Sequence, residues 1–318
     1  MEKEYCICCM NPVSEEGVCP VCGLKRGEYI PEAYHLPPGT MLAGRYLVGR
    51  ALGGGGFGIT YLGFDIRLAL KVAIKEYFPT DNAARLSERS LDVSCYLGNA
   101  SQRYEERKQK FLREARTMAC LEKLRAVVGV RDFFEEHNTA YIVMEYIEGT
   151  TLRELALKKG GRIPAGELFP MLEPLFGELG AMHEQRLIHR DISPDNLMLE
   201  MGRIRLLDFG CAREAGSATE TMTIALKSGF APIEQYQHKG QGAWTDVYAL
   251  SATIYYCLTG KVPEHSINRI CKDDLILPRR LGVELSVEQE QALLYGMGIR
   301  PRRRFQSMKA LHDALYLN

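Results

Sequence analysis

His189-Arg190-Asp191-Ile192-Ser193-Pro194-Asp195-Asn196, followed by Asp208-Phe209-Gly210, is the stretch whose reading decides the fold. It sets two carboxylates, Asp191 and Asp208, and the Asn196 carboxamide close together on two short loops around a β-turn unit. A positioned carboxylate can accept the proton of a hydroxyl. A carboxamide and a second carboxylate are oxygen ligands suited to Mg²⁺. Upstream, Leu168 to Arg186 has the apolar period of a long helix that leads into the first loop.

Working toward the N-terminus, Tyr46 to Leu62 surrounds Gly53-Gly54-Gly55-Gly56-Phe57-Gly58. Such a run alone is a weak signal. A dinucleotide site would continue into a helix, whereas Ile59-Thr60-Tyr61-Leu62-Gly63 reads as another strand. The glycines therefore belong to a hairpin, where absent side chains let backbone approach phosphates. Val72-Ala73-Ile74-Lys75 is the next strand. Phe111, Ala115, Met118 and Leu121 form one stripe of a helix that carries Glu114. Glu105, Glu106 and Glu122 are rivals for the same role, and the usual fate of a helical Glu is a solvated face. An extra piece near Thr80 to Ala100, including Tyr96-Leu97-Gly98-Asn99, reads as a hairpin or flap with no assignable role. Tyr141-Ile142-Val143-Met144-Glu145-Tyr146-Ile147-Glu148-Gly149 begins as a buried strand.

In this order, from about Arg45 to the C-terminus, the motifs resemble a bacterial eukaryotic-like (Hanks-type) serine/threonine protein kinase. The resemblance implies an α+β, bilobal fold. Residues 45–148 would form an antiparallel N-lobe with one main helix, and 149–318 a mostly helical C-lobe. It implies ATP as donor and Ser or Thr hydroxyls of proteins, its own included, as acceptors. By the same resemblance Asp191 is the base, Asn196 and Asp208 hold Mg²⁺, and Lys75 paired with Glu114 holds phosphate. Leu52, Gly53, Gly55, Gly58, Thr60, Ala73 and Met144 would surround the nucleotide, and the backbone of Glu145 and Ile147 would bind adenine. Thr60 stands where such kinases commonly carry Val, which alters the wall against adenine. Asp246 would brace the catalytic loop, and Arg304 would pair with Glu234.

Two departures stand out. Such kinases usually carry Lys two residues after the base, and here that residue is Ser193. They usually carry Thr seven residues before the glutamate of the Ala-Pro-Glu motif. In this chain the motif is Ala231-Pro232-Ile233-Glu234, and the position is Lys227. Lysine and hydroxyl have exchanged places, which would let Lys227 serve the phosphate and Ser193 supply the hydroxyl. The loss of lysine at Ser193 is the argument for an alternative, a pseudokinase-like nucleotide-binding scaffold. A small-molecule phosphotransferase is a third reading, opposed by the full segment from Asp208 to Glu234 that would carry a peptide. Thr219, Thr221 and Thr223 in that segment are candidates for regulatory phosphorylation and pairing with Arg190.

Of ten cysteines, five precede residue 23. Cys6-x-x-Cys9 and Cys19-x-x-Cys22 are two knuckles that present four thiolates to one structural Zn²⁺. Cys8 is a rival ligand, but the two-residue spacer favours Cys6 and Cys9. The segment looks like the zinc ribbons that some bacterial kinases carry ahead of the catalytic domain, and such a ribbon is also a platform for a partner. We assign it residues 1–27, and the Pro-rich 28–44 to a linker. Activity is expected to survive removal of everything before Leu36, since no phosphate-handling group lies there. Lys plus Arg and Asp plus Glu both number 40, which argues against a general nucleic-acid binder. No apolar run approaches a membrane span, and the start is no signal peptide, so a cytoplasmic location is expected.

Overall fold

The computed structural model describes residues 4–13, 17–25, 27–56, 58–87, 90–95, 99–121, 123–207, 213–214, 226–237 and 240–317. They fall into two compact units, Met1–Cys120 with Gly129–Tyr146, and Leu121–Val128 with Ile147–Asn318.

The first unit is built on strands β1 (Met41–Leu42), β2 (Tyr46–Gly55), β3 (Gly58–Asp65), β4 (Leu70–Tyr77), β5 (Ala83–Arg85), β6 (Val93–Cys95), β7 (Val130–Glu136) and β8 (Thr139–Glu145). Among the described residues its helix is α1 (Asn99–Ala119). The main sheet is antiparallel, in the order β1-β2-β3-β4-β8-β7. The N-lobe expectation is met. Helix α1 packs on β7 and β8 through a buried stripe that includes Phe111, Ala115 and Met118.

The cysteine segment belongs to this unit and is not a separate body. Pairing of β2 with β3 shifts register between Val48 and Ala51, and again between Ala51 and Gly53. Such an irregularity leaves ladder groups unpaired, and they need partners elsewhere. Here the Arg50 N–H donates to Ile7 O at 2.7 Å, and Arg50 Nε to Cys8 O at 3.0 Å. Ala51 N–H donates to the Tyr29 hydroxyl at 3.1 Å. Met10 is buried against Leu62 and Phe64, and the Tyr5 ring lies 4.3 Å from that of Phe64. The cysteine segment thus packs against the sheet of the first unit. Removing it would expose Leu62 and Phe64.

Gly49 makes this close approach possible. A Cβ there would lie 2.2 Å from Met10 Cε and 2.6 Å from Ile7 O. Gly49→Val is expected to cost about 1–3 kcal/mol by overpacking. A urea titration with nucleotide absent measures it. A cost under about 0.5 kcal/mol would mean that the ribbon does not press on β2.

The Pro-rich segment is also fastened down. Gly39 N–H donates to Val48 O, Val48 N–H to Thr40 O, and Leu36 N–H to the Tyr61 hydroxyl at 3.0 Å. The insert after β4 is the β5–β6 hairpin, antiparallel with Arg85 opposite Val93. Its Arg85 reaches the fully buried Glu76 carboxylate and the Tyr34 carbonyl, with the guanidinium 5.1 Å over the Phe78 ring. Tyr61 and Tyr141 hydroxyls donate to the same carboxylate at 3.0 and 2.9 Å. Burial, and then the Glu76 charge, push both phenols above their ordinary range, so they remain donors.

The second unit contains β9 (Thr150–Thr151), α2 (Leu152–Lys158), α3 (Ala165–Glu184), β10 (Leu187–Ile188), β11 (Leu197–Glu200), β12 (Arg203–Leu206), β13 (Arg213–Glu214), α4 (Ile233–Tyr236), α5 (Ala243–Thr259), α6 (Ser266–Cys271), α7 (Val287–Gly296) and α8 (Met308–Tyr316). This is the mostly helical C-lobe. Helix α5 is buried from Thr245 to Leu258 and packs against α3, α7 and α8. A helix buried on all sides is central to its unit. Residues 121–128 join this unit because Leu206 N–H donates to Ala126 O at 2.6 Å and Val127 bridges Leu206.

Candidate active site

The loop after β10 is held from below by Asp246 in the first turn of α5. Its Oδ2 accepts His189 N–H and Oδ1 accepts Arg190 N–H, both at 2.8 Å. His183 Nε2 donates to Oδ2 at 2.8 Å. Asp246 is fully buried. Burial pushes its carboxyl upward, but His183, the nearby His189 ring and the Arg190 N–H outweigh that and hold it below the ordinary carboxylate range. Arg190 has φ +72°, a backbone state rare for a non-glycine residue. Gln235 Nε2 donates to its carbonyl at 2.8 Å. The loop is therefore clamped on both sides of the strained residue, immediately before Asp191.

Asn196 Nδ2 donates to the Asp191 carbonyl and to Asp191 Oδ2, each at 2.8 Å. The carboxamide and the carboxylate thus meet as the sequence pattern suggests. Arg153, at the start of α2, grips the far end of the loop. Its Nε and Nη2 bind the two Asp195 oxygens at 2.5 and 3.0 Å, and its N–H donates to Pro194 O. Arg153 and Gln235 were not found by sequence reasoning. Asp195 inside the quoted stretch was the available signal for the first.

Ser193 is fully buried, and Lys227 Nζ donates to its Oγ at 2.9 Å. The same Nζ lies 3.7 Å from Asp191 Oδ2. The two exchanged residues are in contact. Downstream, Arg304 Nη1 and Nη2 bind Glu234 at 2.7 and 2.9 Å. Asp208, with Thr219, Thr221 and Thr223, lies outside the described residues.

In the first unit, Gly53, Gly54 and Gly55 pair with Thr60, Ile59 and Gly58, which makes the glycine run a hairpin. A Cβ at Gly58 would meet Glu76 O at 2.1 Å, so that glycine is imposed by the neighbouring strand. Leu52 lies on β2 and packs toward the Met10 cluster. Lys75 is buried in β4 opposite Thr60 and Ile142, and Ala73 stands opposite Leu62 and Met144. Glu114 is half-buried on α1, whereas Glu105 and Glu106 are exposed and Glu122 lies outside the described residues. Glu145 N–H is committed to Gly129 O at 2.9 Å. Ile147 is buried in the second unit.

Cys6, Cys9, Cys19 and Cys22 bring their sulfurs within 4.8 Å of one another, with Cys6–Cys22 at 3.6 Å and Cys9–Cys19 at 3.5 Å. Four thiolates about 2.3 Å from one Zn²⁺ in a tetrahedron stand about 3.8 Å apart. The set therefore fits zinc. Cys8 is outside the group and contributes its carbonyl to Arg50 instead.

Comparison with known proteins agrees with this architecture. The model of the protein kinase domain matches residues 46–293. Serine/threonine-protein kinase PknL of Mycobacterium tuberculosis is 34% identical over 227 residues, which are 70% of this chain and 51% of PknL. PrkC of Bacillus subtilis, also named a serine/threonine-protein kinase, is 32% identical over 231 residues, 71% of this chain and 32% of PrkC. The chain thus spans about half the length, or less, of these curated relatives. A solved structure described as "PpkA-294 apo form" superposes with a TM-score of 0.77 at 32% identity, covering 89% of this chain and 99% of that one. No described helix is long and apolar enough to cross a membrane. With its domain matched over most of its length, the chain belongs to the protein kinase domain family.

Proposed function

We propose that this chain is a serine/threonine protein kinase, transferring the γ-phosphate of ATP to protein hydroxyls. The observation that carries the reading is the clamped Asp191. Asp246 and Gln235 fix the backbone before it, and Asn196 orients its carboxylate. A rigid carboxylate of this kind can receive the proton of an incoming hydroxyl. Both Nδ2 bonds of Asn196 are spent on Asp191, so its amide oxygen is the group that holds Mg²⁺, together with Asp208. Mg²⁺, when bound, offsets phosphate charge. Lys75 with Glu114 holds phosphate, and the glycine hairpin offers backbone N–H groups to it. Glu145 N–H is already engaged, so the adenine donor is Ile147. Serine and threonine proteins are the substrates, and Thr219, Thr221 and Thr223 the first self-acceptors. Incubation with labelled ATP and Mg²⁺, with and without Asp191→Asn, is the test. The contact between Lys227 and Ser193, which places a cation beside Asp191, supports this reading over the scaffold.

The four cysteines hold one structural Zn²⁺. Elemental analysis is expected to give about one zinc per chain. Cys9→Ser with Cys22→Ser should lose the metal and lower the melting temperature of the N-lobe, because Met10 and Tyr5 are seated by the same turns. A metal-free protein that melts as the loaded one does would sink the assignment.

A further inference from the structure

Lys227 and Ser193 sit in the second unit beside Asp191, 34 residues apart in sequence. The turn that carries Lys227 is fixed. Its carbonyl accepts Phe230 N–H at 3.1 Å and Ala231 N–H at 3.0 Å, and Phe230 and Ala231 are buried. Ser266 Oγ donates to Ala231 O at 2.9 Å. Gly229, at φ +84°, lies so close to the 262–263 backbone that a Cβ would meet Pro263 O at 2.5 Å. The lysine stem therefore starts from a rigid base, and its side chain is one-third exposed.

The ammonium touches a neutral hydroxyl at 2.9 Å and a carboxylate oxygen at 3.7 Å. It has three donors. Ser193 takes one, and the contact with Asp191 is longer than a good hydrogen bond. The charge is thus held near the base without being consumed by it. Any phosphate reached by a hydroxyl in contact with Asp191 must approach that same carboxylate. Two anions then meet, and a cation fixed between them lowers the cost.

We propose that Lys227 is the catalytic cation of this kinase, contacting the transferred γ-phosphoryl oxygens, and that Ser193 is the residue that positions it. The inference rests on the kinase reading above. In the step, the substrate hydroxyl oxygen forms a bond to the γ-phosphorus and the bond to the β,γ-bridging oxygen breaks. That electron pair leaves with ADP, and the hydroxyl proton passes to Asp191. Lys227 takes no part in the proton transfer and offsets charge on the equatorial oxygens.

The test has two arms. In transfer assays Lys227→Ala is expected to lower kcat about 10²-fold, as for loss of one fixed transition-state donor. The exchange Ser193→Lys with Lys227→Thr should recover at least tenfold of that loss, since residues in contact are non-additive. In binding assays with Mg²⁺, wild type should prefer a non-hydrolysable ATP analogue over ADP more strongly than Lys227→Ala does. A kcat within threefold of wild type, or an unchanged triphosphate-to-diphosphate preference, overturns the proposal. If wild type shows no transfer sensitive to Asp191→Asn, the kinase reading fails, and the binding arm still judges Lys227.

Discussion

Asp191→Asn is expected to lower kcat for phosphate transfer by about 10²–10⁴-fold, the range supplied by a positioned general base. The substitution is nearly isosteric. Its amide oxygen can still accept from Asn196 Nδ2, which binds Asp191 Oδ2 at 2.8 Å in the wild type. The loop backbone is held by Asp246 and Gln235, which the change does not touch. What is lost is a group that can take a proton, and the negative charge 3.7 Å from Lys227. Melting temperature and KM for ATP should therefore move little while kcat falls. Steady-state transfer to a generic Ser/Thr-rich protein measures it. A fall of less than about tenfold would remove Asp191 from the base role, since that is below the range for such catalysis.

Arg304→Met has the largest expected effect on stability. The guanidinium spends its donors on Glu234, Trp244 O, Ile299 O and Gly298 O, and it lies 5.0 Å over the Tyr248 ring. Both members of the pair are almost wholly buried. Removing the cation leaves Glu234 buried with only the Thr245 hydroxyl at 3.1 Å for a partner among the described contacts. Stranding one member of such a pair costs about 3–5 kcal/mol. That is a large share of the roughly 5–15 kcal/mol that holds a domain together. The C-lobe should unfold at markedly lower urea, and the segment leading to Glu234, which includes Lys227, should lose its anchor. The double change Arg304→Met with Glu234→Leu should cost less than the sum of the singles, because apolar replacement of both partners leaves no stranded charge. A single-mutant cost under about 1 kcal/mol would show the pair to be solvated in practice.

The parts of the molecule legible in the sequence share one property. Their chemistry needs residues that are neighbours along the chain. The His189–Asn196 loop, the glycine hairpin, the Val-Ala-Ile-Lys strand and the paired cysteine knuckles each announce themselves because one short loop or strand must carry each group. From these the bilobal α+β architecture follows, and so does the family. Even the exchange at Ser193 and Lys227 showed as a departure from a local pattern. The fixed spacing from Glu234 located the second residue.

What tertiary structure alone decided are contacts between residues far apart in sequence, for which no local pattern exists. Gly49 is required by Ile7 and Met10, more than thirty residues earlier, so nothing around Gly49 marks it. Glu76, next to Lys75, carries no local mark of its role. It is the buried centre of a network that gives the insert its place through Arg85. Arg153 holds Asp195 across 42 residues. The cysteine segment read as an appendage because its own composition offers no core. Its core is borrowed from Leu62 and Phe64, and only the folded sheet, with its register shifts in β2, presents the surface to borrow. Local chemistry is written contiguously because a loop must supply it at once, whereas packing is decided by shape complementarity between surfaces that exist only after the chain has folded.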